Sequence, residues 1–233
     1  MIPVLAVPCL RRDLVGRMLA SVDEPVGLKL VIDNGAGVPD LDAWVVRLPA
    51  NLGVGAAWNL ALKLTPKAPW WAIVNDDVIF APGDLGSLIL AMLAPGPRIA
   101  VLDGFAAFGI NAAALDRVGY FDENYIPAYC EDADMEYRCR LAGVTIVGVE
   151  NQMVHERSST IGLPEYRRQN ARTYQANVDY HRRKWGGGLR GGENYPTPFN
   201  RGGGANEWTL DPARLRELGW ETTMRVPEDG EQR

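Results

Sequence analysis

Cysteine is scarce: the 233 residues hold three, Cys9, Cys130 and Cys139, and none stands in a C-x-x-C pair. A disulfide framework and a cysteine-based zinc site are therefore not encoded, and a reducing, cytoplasmic location is the expectation. Basic charge is also short, with 24 lysines and arginines against 29 aspartates and glutamates, a net charge of −5. Non-specific nucleic-acid binding needs clustered positive charge, so no nucleic-acid partner is expected. No apolar run reaches the roughly 18 residues that mark a transmembrane helix, so no such segment is expected. The opening MIPVLAVPCLRRD places its arginines after its apolar stretch, the reverse of a signal peptide. Histidine occurs twice, as His155 and His181, and His155-Glu156 lacks the second histidine of an H-E-x-x-H site. Neither a GxxxxGK[ST] phosphate loop nor a GxSxG elbow occurs. Gly53-Val54-Gly55-Ala56-Ala57-Trp58 begins like a dinucleotide fingerprint, but puts Trp58 where helix and strand must approach closely.

What is present is a 47% apolar composition, ample for a core, cut into short strands and helices. Ile2–Val7, Leu28–Ile32, Trp44–Leu48 and Trp70–Val74 read as buried strands. Helical patterns over Asp13–Ser21, Gly55–Leu64 and Leu85–Leu93 follow the first, third and fourth of them. That alternation predicts an α/β fold with a mostly parallel sheet covered by helices on both faces. Further on, Ile99–Leu102, Ala106–Ile110 and Val144–Val149 read as strands, and Ala112–Val118 and Glu131–Leu141 as helices, the latter closed by Gly143. Glu165–Trp185 reads as a long polar helix in which His181 is solvated, and Pro212–Leu218 as a short helix. Glycines crowd the segment after residue 186. Two units are expected: a catalytic domain over 1–185, and a glycine-rich extension over 186–233 that serves as a lid or an acceptor-side element.

Three acidic clusters carry the chemistry. Asn75-Asp76-Asp77 follows directly on a strand, at the edge where parallel sheets bind ligands. Adjacent carboxylates there suit a hard cation carrying phosphates, and equally suit an Asn/Asp turn. Asp33-Asn34 ends an earlier strand with the same two readings, a base contact or a turn. Glu131-Asp132-Ala133-Asp134-Met135-Glu136 opens a helix, where acids favour the positive end of the dipole. Asp132 and Glu136 share one face, whereas Glu131, Asp134 and Arg138 share another, and crowded carboxylates suit a general base. From its position alone His155 is open between a structural residue and a ligand.

In this order the segments resemble the family 2, GT-A-type inverting glycosyltransferases, and especially their rhamnosyltransferase-like branch. Val7-Pro8-Cys9-Leu10-Arg11-Arg12 is similar to the family's opening loop, and Val31-Ile32-Asp33-Asn34-Gly35 to its second-strand acid. Asn51-Leu52-Gly53 through Asn59 resembles its N-x-G helix start, and Asn75-Asp76-Asp77 its DxD element with Asn in the first place. Gly119-Tyr120-Phe121-Asp122-Glu123, Glu131-Asp132-Ala133-Asp134, Arg138, Gly143, and His155 followed by Ser158-Ser159 continue the likeness over roughly residues 1–185. Cys9-Leu10 departs from the family's usual polar pair.

The resemblance implies a GT-A-like fold and a metal-dependent, inverting transfer from a nucleoside diphosphate sugar to the hydroxyl of a glycan, lipid-linked or protein acceptor. It implies Pro8, Asp33, Asn59 and Asp76 at the donor nucleotide, and Asp77 with His155 on Mn2+ or Mg2+. It further implies Asp132 as catalytic base, with Glu131, Asp134, Tyr129 and Trp185 on the sugar or acceptor side. A nucleotidyltransferase on a related fold would open with a G-x-G-T-R loop, which Pro8-Cys9-Leu10-Arg11 is not. An inactive nucleotide-sugar-binding protein is the non-enzymatic alternative.

Overall fold

A computed structural model describes residues 1–156 and 164–186. The expectations placed on Ser158-Ser159, on the helix Pro212–Leu218 and on nearly all of the 186–233 extension lie outside the described residues. Fifteen elements follow in order: β1 (Ile2–Cys9), α1 (Val15–Ala20), β2 (Val26–Asp33), β3 (Trp44–Arg47), α2 (Val54–Leu64), β4 (Trp70–Val74), β5 (Val78–Ile79), α3 (Asp84–Leu93), β6 (Arg98–Val101), β7 (Ala107–Asn111), α4 (Ala112–Val118), α5 (Glu131–Ala142), β8 (Thr145–Gly148), β9 (Val154–His155) and α6 (Pro164–Trp185).

Seven strands form one sheet in the order β3-β2-β1-β4-β7-β6-β8. Pairings β1–β2, β1–β4, β2–β3 and β6–β8 are parallel. Only β7 runs against the rest, pairing antiparallel with β4 and β6. The reversal has a local cause, because residues 102–106 join β6 to β7 too briefly for a crossover. Strand alternation divides the core. Leu5 and Val7 of β1 face Val15 and Met18 of α1 and Leu85, Leu88 and Met92 of α3. Val4 and Ala6 face the other layer, with Ala57, Trp58 and Leu62 of α2, Ala114 and Val118 of α4, and Met135 and Cys139 of α5. On that side Trp58 packs with Phe105, Phe108 and Phe121 at ring separations of 4.7–6.3 Å.

The chain order reverses between β1 and its neighbours β2 and β4, and such a switch point opens a crevice at the strand carboxyl ends. Two elements escaped the sequence reading. β5 and β9 pair antiparallel with Val78 opposite His155, and two-residue strands carry no readable period. The structure also corrects two expectations about α6. His181 is fully buried rather than solvated, and Trp185 and Lys184 turn inward.

Candidate active site

The carboxyl ends of β1, β2 and β4 meet around three acids. Asp33 is buried at the end of β2, where Oδ1 accepts the N–H groups of Ala36 and Gly37 and Oδ2 that of Val38. This is the turn reading of the residue, and it uses three of the roughly four lone-pair sites of a carboxylate. Asn34 next to it accepts the Leu52 N–H at 2.8 Å and donates to Asn51 Oδ1, which ties β2 to the start of α2. Gly53 there has φ +90° and a Cβ would meet the Pro127 carbonyl at 3.1 Å, so only glycine fits without strain.

Asp76 grips the loop after β1: its Oδ2 accepts the N–H groups of Leu10 at 2.7 Å and Arg11 at 2.6 Å. Burial pushes its carboxyl up to about 6, against those two N–H bonds. Pro8 is half-buried on β1 beside Ile32 of β2, and Cys9 below it is fully buried, so its thiol is pushed far up by burial and then by Asp76.

Asp77 and His155 come together through the small β5–β9 ladder. The Glu156 N–H donates to the Asp77 carbonyl at 2.9 Å, and His155 Nε2 lies 3.4 Å from Asp77 Oδ1. The other imidazole nitrogen, Nδ1, lies 2.9 Å from Asp103 Oδ2. An ionised carboxylate only accepts, so Nδ1 carries the proton there. His155 sits above the ordinary histidine pKa because Asp77 and then Asp103 accept its hydrogens, against the opposing effect of burial. Asp103 follows β6, and Asn151 clamps the chain beside it by donating to the carbonyls of Leu102 and Val149. Sequence reasoning did not single out Asp103, because an acid before a glycine in a turn has no distinctive pattern.

This pair passes a test for a divalent metal. Ligands about 2.1 Å from a cation at right angles stand about 3 Å apart, close to the observed spacing of Asp77 Oδ1 and His155 Nε2. A cation would displace the Nε2 proton, and the Asp103 contact on Nδ1 would aim the freed lone pair at the same point. Among the described residues no group of three or more His, Cys, Asp or Glu converges on one point. Phosphate oxygens and water would have to complete the shell.

The second wall is the start of α5. Tyr129 and Cys130 both have φ 79°, a left-handed conformation that costs non-glycine residues about 1–3 kcal/mol each. Asn177 of α6 holds this bend by donating to the carbonyls of Ile126, Ala128 and Tyr129. Asp132 is half-exposed at the helix start, with Oδ1 accepting the Ala133 N–H at 2.7 Å. Glu131 turns inward and is 6% exposed; among the described residues Oε2 has no hydrogen-bond partner, and burial raises its carboxyl well above the glutamate range, with Asp132 adding to the shift. Tyr129 is half-buried just before this helix; burial raises its pKa, followed by the charge of Glu131.

Three residues expected at the site are engaged elsewhere. Asn59 is buried inside α2, where its Nδ2 donates to the Phe121 carbonyl and Glu123 Oε1 and its Oδ1 accepts the Phe121 N–H. Both hydrogens of its amide and one acceptor site of its oxygen are used, and it pins the segment leading to α5. Asp134 and Trp185 are both fully buried. Asp134 accepts from Lys184 Nζ at 2.6 Å, Trp185 Nε1 at 2.7 Å and Arg138 Nε at 2.9 Å. These bonds fasten α6 to α5 and account for both residues without a substrate.

Residues 32–119 match the family described as Glycosyl transferase family 2. The chain is 29% identical over 144 residues to a galactofuranosyl glycosyltransferase of Leishmania donovani, covering 51% of this chain and 32% of that protein. It thus spans about a third of the length of the curated relative it matches. Its fold is similar to that of glucosyl-3-phosphoglycerate synthase from Mycobacterium tuberculosis, solved with Mn2+, UDP and phosphoglyceric acid. The TM-score is 0.53 at 17% identity, over 76% of this chain and 78% of that one. The same enzyme with Mn2+, UDP-glucose and phosphoglyceric acid gives a TM-score of 0.54 at 16% identity, over 76% and 79% of the two chains. The α/β architecture with its mostly parallel sheet is therefore the GT-A one, and the stretch that matches the family model runs from the end of β2 to the end of α4.

Proposed function

We propose that the chain is the catalytic domain of an inverting glycosyltransferase that moves a hexosyl or deoxyhexosyl group from a nucleoside diphosphate sugar to an acceptor hydroxyl. The observation that carries this reading is the pair at the carboxyl end of the sheet, with His155 Nε2 3.4 Å from Asp77 Oδ1; the half-exposed Asp132 at the start of α5 would supply the base. The similarly folded glucosyl-3-phosphoglycerate synthase, solved with UDP and Mn2+ or Mg2+, supports the same choice of ligands. Asp77 and His155 would hold Mn2+ or Mg2+. The ion would neutralise charge developing on the departing diphosphate. Asp33 would offer its remaining acceptor site to a base N–H, and Asp76 holds the loop after Pro8 and Cys9 that would lie under the nucleotide.

Asp132 takes the proton of the acceptor hydroxyl as its oxygen attacks the anomeric carbon. The bond from that carbon to the diphosphate oxygen breaks on the opposite side, so one displacement inverts the configuration. Oδ2 of Asp132 makes no hydrogen bond among the described residues and is available for this proton. The rhamnosyltransferase-like resemblance favours a deoxyhexose donor. Residues 186–233 would act on the acceptor side. The test is release of nucleoside diphosphate from a panel of UDP-, GDP- and dTDP-sugars with Mn2+ present. One donor hydrolysed slowly supports transfer chemistry; tight binding of a donor without turnover, with or without sugar acceptors, contradicts it.

A further inference from the structure

The transferase reading leaves the acceptor undefined, and the aromatic pair beside Asp132 narrows it. Tyr129 and Tyr174 have ring centroids 5.7 Å apart and planes at 84° to each other, so they form a right-angled corner rather than a stack. Tyr174 of α6 is 42% exposed, an unusual state for a large aromatic side chain on this molecule. Tyr129 is half-buried, yet its hydroxyl makes no hydrogen bond among the described residues. The Tyr129 backbone is held in a left-handed bend that its neighbours must enforce, with Asn177 on its carbonyl. Strain maintained in this way marks a side chain whose direction matters. Val178 and Tyr180 of α6 pack against Tyr125 and Cys130, and Tyr129 lies partly buried against the same cluster.

We propose that Tyr129 and Tyr174 form an acceptor subsite for a carbohydrate ring, so that the acceptor is a sugar-bearing molecule rather than a simple alcohol. This rests on the transferase reading of the same site. A sugar ring has one face rich in C–H groups, which the electron-rich face of an aromatic ring attracts. The exposed Tyr174 face supplies that platform. The Tyr129 hydroxyl bonds a ring hydroxyl next to it, and Asp132, three residues along, meets the hydroxyl that reacts.

The full chain with Mn2+ and UDP tests this by saturation-transfer NMR. The probes are the methyl pyranosides of glucose, galactose, mannose and rhamnose, methyl galactofuranoside, and glycerol and 3-phosphoglycerate as controls without a ring. At least one glycoside is expected to receive saturation on one ring face, and both controls none. Tyr174→Ala should weaken that affinity about two- to tenfold, as loss of one aromatic contact does. Tyr129→Phe keeps the ring and its packing, and should weaken it about two- to tenfold through the single lost hydrogen bond. UDP affinity should not change in either variant. Saturation of no glycoside, or of the same glycoside to the same extent in both variants, overturns the subsite. UDP binding is a separate readout: its absence counts against the nucleotide reading, while the sugar signal decides the subsite.

Discussion

Asp103 Oδ2 stands 2.9 Å from His155 Nδ1, on the side of the ring away from Asp77, whose Oδ1 is 3.4 Å from Nε2. The contact fixes both the plane of the imidazole and the nitrogen it offers. Removing such an outer partner typically weakens metal affinity about 10- to 100-fold. Asp103→Ala should therefore weaken Mn2+ binding in the presence of UDP by that factor, read from the free-ion signal in electron paramagnetic resonance. Asp103 is part-exposed, so the thermal midpoint should move little. Unchanged Mn2+ affinity would mean that the contact is merely a surface bond.

Asp132→Asn tests the base. The amide is nearly isosteric but cannot take the proton, so turnover should fall by about two to four orders of magnitude. Calorimetry should show UDP and Mn2+ bound as tightly as before. Activity near the native level would move the role to another group.

The Asp134 clasp predicts a pH-dependent stability. Burial alone would raise this carboxyl, but Lys184 and Arg138 outweigh it and hold it below the ordinary aspartate range. A depressed folded-state pKa gives stability that is fully present above the unfolded value of about 3.9 and is lost as pH falls through the folded one. Asp134→Asn should cost about 3–5 kcal/mol at pH 7, as breaking a buried pair does. The gap between native and variant in urea denaturation should close only as the pH drops below about 3.9. His181, whose pKa burial lowers, adds a loss of the same sign beginning nearer its unfolded value of about 6.5. Asp76, raised to about 6, has the opposite sign, since its ionised form is disfavoured in the folded state. The comparison with Asp134→Asn cancels the Asp76 contribution but not that of His181, whose pKa the Asp134 charge raises.

The clasp also sets where the chain can be cut. A chain ending at Gly186 keeps His181, Lys184 and Trp185 and should still bind UDP with Mn2+. One ending at Tyr180 removes all three and leaves Asp134 without Lys184 and Trp185. Its urea midpoint should fall clearly below that of the longer chain. Equal midpoints would show that the clasp is dispensable.

These cases show what the residues disclose in sequence order. Asp77 and His155 could be singled out because each follows a strand, where ligands gather. Their meeting depends on two-residue strands with no pattern of their own. The strand and helix alternation of the first hundred residues was legible because it is local and periodic. The partners of Asn59, Asp134 and Trp185, and the burial of His181, were not legible for the opposite reason. Lys184 and Trp185 find Asp134 at 50 and 51 residues' separation, and Asn59 finds Phe121 at 62. Polar character suggested solvent or substrate, whereas a distant partner satisfied it. Asp103 was missed because nothing in a turn shows which histidine it will face.

The measurement closest to the central claim is calorimetric titration of UDP into the protein with Mn2+, with excess chelator, and with Asp77→Ala in place of the native chain. The account predicts clear binding with Mn2+, a loss of at least about tenfold in chelator, and a similar loss in Asp77→Ala even with Mn2+ present. UDP bound equally well in all three conditions would contradict a metal-bridged diphosphate at Asp77 and His155.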